Sequence, residues 1–167
     1  MKVLERSPVR VDRSRRMATA SAPVKTRRVK KKRSAFQCLV VSTRAKRRLL
    51  LEEAATEGGW DSLVFDEVES SWTALKRQKF GLALIDLDGV DSPEELKELA
   101  EEVSKMKDTL LILCGNEGEA MEEIWARQLG VWLYLPGVTA GSDVISLCEQ
   151  ARPVVEKLTG EFATAPR

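Results

Sequence analysis

A chain of 167 residues, 43% of them apolar, is long enough for one globular domain plus an extension and apolar enough to fill a core. The formal net charge of +1 hides an asymmetry: residues 1–34 hold 13 Lys/Arg against 2 acids, a net +11, and the remainder holds 14 against 24, a net −10. The absence of histidine excludes His-based triads and most catalytic zinc sites, and removes the usual proton carrier at neutral pH.

Residues 1–34 contain no aromatic side chain and no apolar periodicity, so they cannot bury enough surface to offset ordering entropy; a disordered basic arm is expected there. Its densest cluster is Lys25, Arg27, Arg28, Lys30, Lys31, Lys32 and Arg33. Such a run can neutralise nucleic-acid phosphates in a salt-sensitive way, dock on an anionic membrane surface, or stay solvated or fold back on its own acidic domain. No aromatic residue interleaves with these cations, so the stacking half of single-strand recognition is missing. An Arg/Ser-rich, acid-poor leader is also the composition of an organelle transit segment, and Met17 is an alternative start that would keep the cluster. There is no apolar h-region and no apolar stretch near the ~20 residues of a membrane span. Cys38, Cys114 and Cys148 are few, widely spaced and set in apolar runs, which predicts buried free thiols in a reducing compartment such as the cytoplasm.

From Ala35 the pattern alternates between two periods. Residues 36–42 read as a strand, and 43–59 as a helix ended by Gly58-Gly59. A strand over 61–65 precedes a helix over 68–78, and 80–86 is again a strand. The helix over 92–106 has the clearest signals: Ser92 as N-cap, Pro93 in the first turn, Glu95 closing a capping box, and a stripe of Leu96, Leu99, Ala100 and Val103. A strand over 108–115, a helix over 119–130 and a strand over 131–135 follow. The last helix starts near Ser142, with Val144, Leu147, Cys148 and Ala151 inward, and Pro153 is expected to kink or shorten it. Residues 161–167 read as a disordered tail.

Five strand–helix units in a row, with strands 1, 3 and 4 apolar almost throughout, predict a parallel sheet buried on both faces. Right-handed crossovers put helices on both sides, and ligands in such sheets bind beyond the carboxyl ends of the strands. Those ends are Ser42-Thr43-Arg44, Asp86, Cys114-Gly115 and Pro136-Gly137. Asp86 and Asp88 in "DLDG" also fit an ordinary turn without chemistry.

The order and spacing of these elements, with the "LALID" strand, make residues 36–158 resemble the receiver domain of two-component response regulators. The resemblance implies a flavodoxin-like (βα)5 doubly wound five-stranded sheet over 35–160. It puts Asp86 at the phospho-acceptor position and Tyr134 at a strand-5 aromatic. It also sets the departures: Ser42 and Thr43, followed by Arg44, where two acids bind Mg²⁺; Cys114 where a Thr or Ser contacts the phosphoryl group; Gly137 where a Lys pairs with it. Phosphoryl transfer brings anions together and needs such cations. A pocket without them is expected to be inactive, with Arg44 paired to Asp86, lowering its pKa and replacing the exchangeable cation. Asp88 is nearby in sequence but at the wrong strand position for the metal-binding set.

Trp125, Trp132 and Tyr134 fall on the helix 4–strand 5 region that the resemblance implies as a contact face, although Met121, Ile124 and Trp125 at helical spacing also suit a core. The glutamates of the 92–106 helix are a solvated face or a dock for basic segments. We therefore expect a signalling module that binds a protein partner, acts as no enzyme, and uses no cofactor or metal, with nucleic acid through the arm and a homodimer as further partners. The alternative is a phospho-acceptor in a phosphorelay using Asp86.

Overall fold

The computed structural model describes residues 36–160 except Thr139, all within the compact unit Arg33–Arg167. The arm over 1–34, with its cluster from Lys25 to Arg33, and the 161–167 tail lie outside the described residues.

Ten elements alternate along the chain: β1 (Gln37–Val41), α1 (Ala45–Glu57), β2 (Asp61–Phe65), α2 (Val68–Arg77), β3 (Leu82–Asp86), α3 (Glu94–Ser104), β4 (Leu110–Gly115), α4 (Ala120–Leu129), β5 (Leu133–Pro136) and α5 (Gly141–Thr159). All pairings are parallel and the order is β2-β1-β3-β4-β5, the expected flavodoxin-like arrangement. Unbroken apolar strands feed two cores because successive side chains point to opposite faces. Cys38, Val40, Leu82, Leu84, Ile112 and Cys114 face one core, with Leu51 of α1 and Val144, Cys148 and Val155 of α5. Leu39, Val41, Ala83, Ile85, Leu111 and Leu113 face the other, with Leu96, Leu99 and Val103 of α3. The edge strand β2 is only half-buried along its length.

Three local expectations are corrected. α3 begins at Glu94, and no side-chain bond caps it: Lys97 N–H reaches the Pro93 carbonyl at 2.8 Å, so Pro93 takes the boundary position and the Ser92–Glu95 box does not close. β5 runs later than expected because Gly130, in the left-handed region at φ +83, ends α4, and Val131 N–H bonds back to the Ala126 carbonyl. α5 is not shortened at Pro153, which sits inside it. The buried stripe of Val144, Cys148, Ala151 and Val155 continues on both sides of the proline and holds the helix to the sheet. Among the described residues no helix is long and apolar enough to cross a membrane.

A proline within a helix removes one backbone bond and crowds the preceding turn. Pro153 is exposed, so its replacement disturbs no packing. Pro153→Ala is expected to stabilise the domain by about 1–3 kcal/mol, read as a higher urea midpoint with unchanged slope.

Candidate functional site

The carboxyl ends of β1 and β3 bring the first charges together. Asp86, the last residue of β3, has no solvent exposure. Ser42, just after β1, donates from Oγ to Asp86 Oδ2 at 2.7 Å, and Asp88 N–H approaches Oδ1 at 3.3 Å. Arg44 takes extended backbone as the residue before α1, and its Nη2 lies 3.5 Å from Asp86 Oδ2. The same nitrogen is 3.0 Å from Asp88 Oδ2, which Arg47 Nη2 also contacts at 2.6 Å. Arg47 donates in addition to the Val138 carbonyl, beyond β5. Arg48 closes the group by donating to the Ser42 carbonyl at 2.9 Å. One carboxylate, Asp88, thus ties two arginines of the α1 start to the β3–α3 loop, and Arg47 ties that loop to the one after β5.

The approach of Arg44 depends on a glycine. A Cβ at position 89 would stand 3.0 Å from Arg44 Nη1, and Gly89 has φ +68. Arg44 Nε is buried without a partner, a cost of about 1–3 kcal/mol that the ion pairs must offset.

The expected pKa effect is reversed. Burial raises the Asp86 carboxyl above its ordinary value, and Ser42, Arg44, Arg47 and the Asp88 amide only partly oppose it. Arg44 itself stands above its ordinary value: burial works against its charge, and bonds and fields from Asp88 and Asp86 outweigh it. Cys114, in register with Asp86, keeps its thiol in the α1/α5-side core. Burial, then the Asp86 charge, pushes that thiol up to about 12, far from a nucleophile's range. Cys38 and Cys148 are also free, buried and raised, chiefly by burial. Thr43 is exposed and joins none of the bonds above. Gly137 continues the β4 ladder, its N–H 3.0 Å from the Gly115 carbonyl, at φ +60. A lysine there would be strained and would crowd Glu117, whose Cβ and Oε2 both lie 3.2 Å from an added Cβ.

A divalent cation of the kind the resemblance implies does not fit these groups. Mg²⁺ is held through carboxylates, but Asp86 Oδ2 is committed to Ser42 and Arg44, and Asp88 Oδ2 to two guanidinium groups. Among the described residues no group of three or more His, Cys, Asp or Glu is placed to hold a metal ion.

A second network begins one residue further along. Gly89 N–H donates to Asn116 Oδ1 at 2.9 Å; Asn116 N–H reaches Glu122 Oε1 at 3.0 Å; Tyr134 OH donates to the same oxygen at 2.9 Å. Glu122 is 8% exposed, and the Tyr134 ring lies against Gly115. Burial and then Glu122 hold the Tyr134 hydroxyl well above its ordinary pKa.

The expected aromatic face is not a single patch. Trp132, which precedes the regular β5 strand, packs on the α1/α5-side core, and Trp125 of α4 and Tyr134 of β5 pack on the opposite one. Lys97 lies over the Trp125 ring at 5.3 Å. Met121 (74% exposed) and Ile124 (46%) are the open apolar residues of α4, not part of a core. Sequence reasoning passed over Arg47, Asn116 and Glu122. Arg47 was legible as the residue three after Arg44 on the same helical turn; Asn116 and Glu122 carried no local signal.

A carboxyl whose folded pKa is raised is penalised above that pKa, and the penalty vanishes below its unfolded value. Asp86→Asn is expected to be more stable than the parent at neutral pH, with the gap closing toward acid, measured by urea unfolding across pH. A parent that stays the more stable form at neutral pH would show the arginine pairing to dominate instead.

No family profile matches the sequence, and no curated protein matches it. Solved structures do match. A CheY-like response regulator receiver domain protein from Methanospirillum hungatei aligns at 17% identity and TM-score 0.61, over 77% of this chain and 100% of that one. A Thermotoga maritima response regulator aligns at 16% and 0.59, over 70% and 96%. Brucella abortus NtrX in complex with ADP aligns at 19% and 0.63, over 77% of this chain and 28% of its own. With parallel order β2-β1-β3-β4-β5 and Asp86 closing the central strand, the chain has the fold of a response regulator receiver domain.

Proposed function

We propose that this chain is a phosphorylation-independent signalling module that acts by contacting a protein partner and catalyses no reaction. The observation that carries this reading is the double pairing of Asp88 with Arg44 and Arg47 beside a fully buried Asp86. An acceptor carboxylate must meet an anionic donor with a divalent cation between them. Here Oδ2 of both Asp86 and Asp88 is already paired, and the positive charge beside them is part of the chain at the start of α1. The contact surface is the open part of α4, Met121 and Ile124, beside the half-buried Trp125. Exposed apolar residues flanked by an aromatic suit a protein interface, a second copy of the chain included. The basic arm, net +11 over residues 1–34, targets the module to a polyanion, nucleic acid foremost, in a cytoplasmic setting.

A phosphorelay role is the second reading, favoured by the position of Asp86 at the end of β3. Incubation with a small phosphodonor and Mg²⁺, read by intact mass, separates the two. No mass gain is expected; a labile gain that Asp86→Asn abolishes would establish the relay role. For the arm, retention on immobilised DNA is compared between the whole chain and one starting at Ser34. The whole chain is expected to elute later, with the difference shrinking as salt rises; equal elution would remove the arm from the function.

A further inference from the structure

Between the first turn of α1 and the loop after β5 lies an open cavity of about 440 Å³, lined by Arg44, Ala45, Lys46, Arg47, Leu50 and Val138. Its size falls in the range of small-molecule sites. Its charge runs against that of the surrounding domain. The residues after the arm sum to −10, yet three cations line the cavity, Arg44, Lys46 and Arg47, and Arg48 follows them on α1 outside the lining. The acids facing them are Asp86 and Asp88, both already paired, which leaves two positive charges in excess. Lys46 is exposed and pairs with no acid among the described residues, and Arg48 spends its bond on a neutral carbonyl. α1 has no acidic residue in its first turn and no side-chain cap, so its positive end adds to this field. Ala45, Leu50 and Val138 make the rest of the wall apolar.

We propose that this cavity binds a small organic phosphate monoester. A phosphate monoester carries about −1.5 to −2 charges at neutral pH, which matches the excess of two, and its oxygens accept from guanidinium and ammonium donors together. Leu50 and Val138 would receive the carbon body. Binding here is reversible and forms no bond to Asp86. The site shares Arg44 and Arg47 with the reading above but requires no partner protein, and the two fail separately: one through a covalent mass gain, the other through amide shifts.

The test is amide NMR on the whole chain, titrated in parallel with phenyl phosphate and inorganic phosphate. Saturable shifts are expected at Ala45, Lys46, Arg47 and Val138, with phenyl phosphate the tighter ligand. Lys46→Glu, at an exposed position outside the ion pairs, is expected to weaken phenyl phosphate about ten-fold and leave the rest of the spectrum unchanged. Shifts confined to residues 1–34, shifts that do not saturate, equal affinity for the two phosphates, or full affinity in Lys46→Glu would each overturn the assignment.

Discussion

A carboxylate sealed at the end of a buried strand must be satisfied by its neighbours, because water does not reach it. Asp86 is that group, and its demand organises the C-terminal edge of the sheet. Ser42 supplies the short hydrogen bond and Arg44 the charge. Arg44 brings Asp88 with it, Asp88 brings Arg47, and Arg47 fastens the loop after β5 through the Val138 carbonyl. Three loops from distant parts of the sequence are therefore positioned by a chain of charges that starts at one residue. Even so, burial outweighs the help: the Asp86 carboxyl ends above its ordinary pKa, so the site tolerates its charge more than it exploits it.

Cations bonded to the backbone behave unlike a bound metal ion. A metal exchanges with solvent and leaves room for a phosphoryl oxygen. A guanidinium group that already bridges two carboxylates has its donors directed and cannot leave. The electrostatic setting of the pocket is thereby fixed when the chain folds. Outside those pairs lie the exposed Lys46 and, on α4, the exposed Met121 and Ile124.

The sequence was most legible where one physical rule acted alone. Apolar runs in β1, β3 and β4 can be buried only between two helical layers, and the alternation of periods pointed to a parallel sheet, while its flavodoxin-like arrangement came from the resemblance. The Arg44–Asp86 pairing was legible because the register placed both at strand ends. The sign of the Asp86 shift was not, since desolvation depends on a depth that sequence does not report. Boundaries failed where backbone bonding overrode side-chain signals, as when Pro93 accepted the first bond of α3 ahead of Ser92. The aromatic face failed on parity: Trp132 and Tyr134 are two apart in sequence, but Trp132 precedes the regular strand, and the two side chains enter different cores.

The two polar networks meet at adjacent residues. Asp88 belongs to the arginine cluster, while the Gly89 amide donates into the Asn116–Glu122–Tyr134 group that anchors the start of α4. Gly89 cannot gain a side chain without pressing on Arg44, so its backbone is constrained from both directions. Displacing both arginines would free the Asp88 side chain, next in the chain to the Gly89 amide that donates to Asn116. Glu122, at 8% exposure, would then be left with fewer bonds in a place where an unsatisfied carboxylate is costly. An intact arginine cluster and an ordered α4 are therefore mutually supporting.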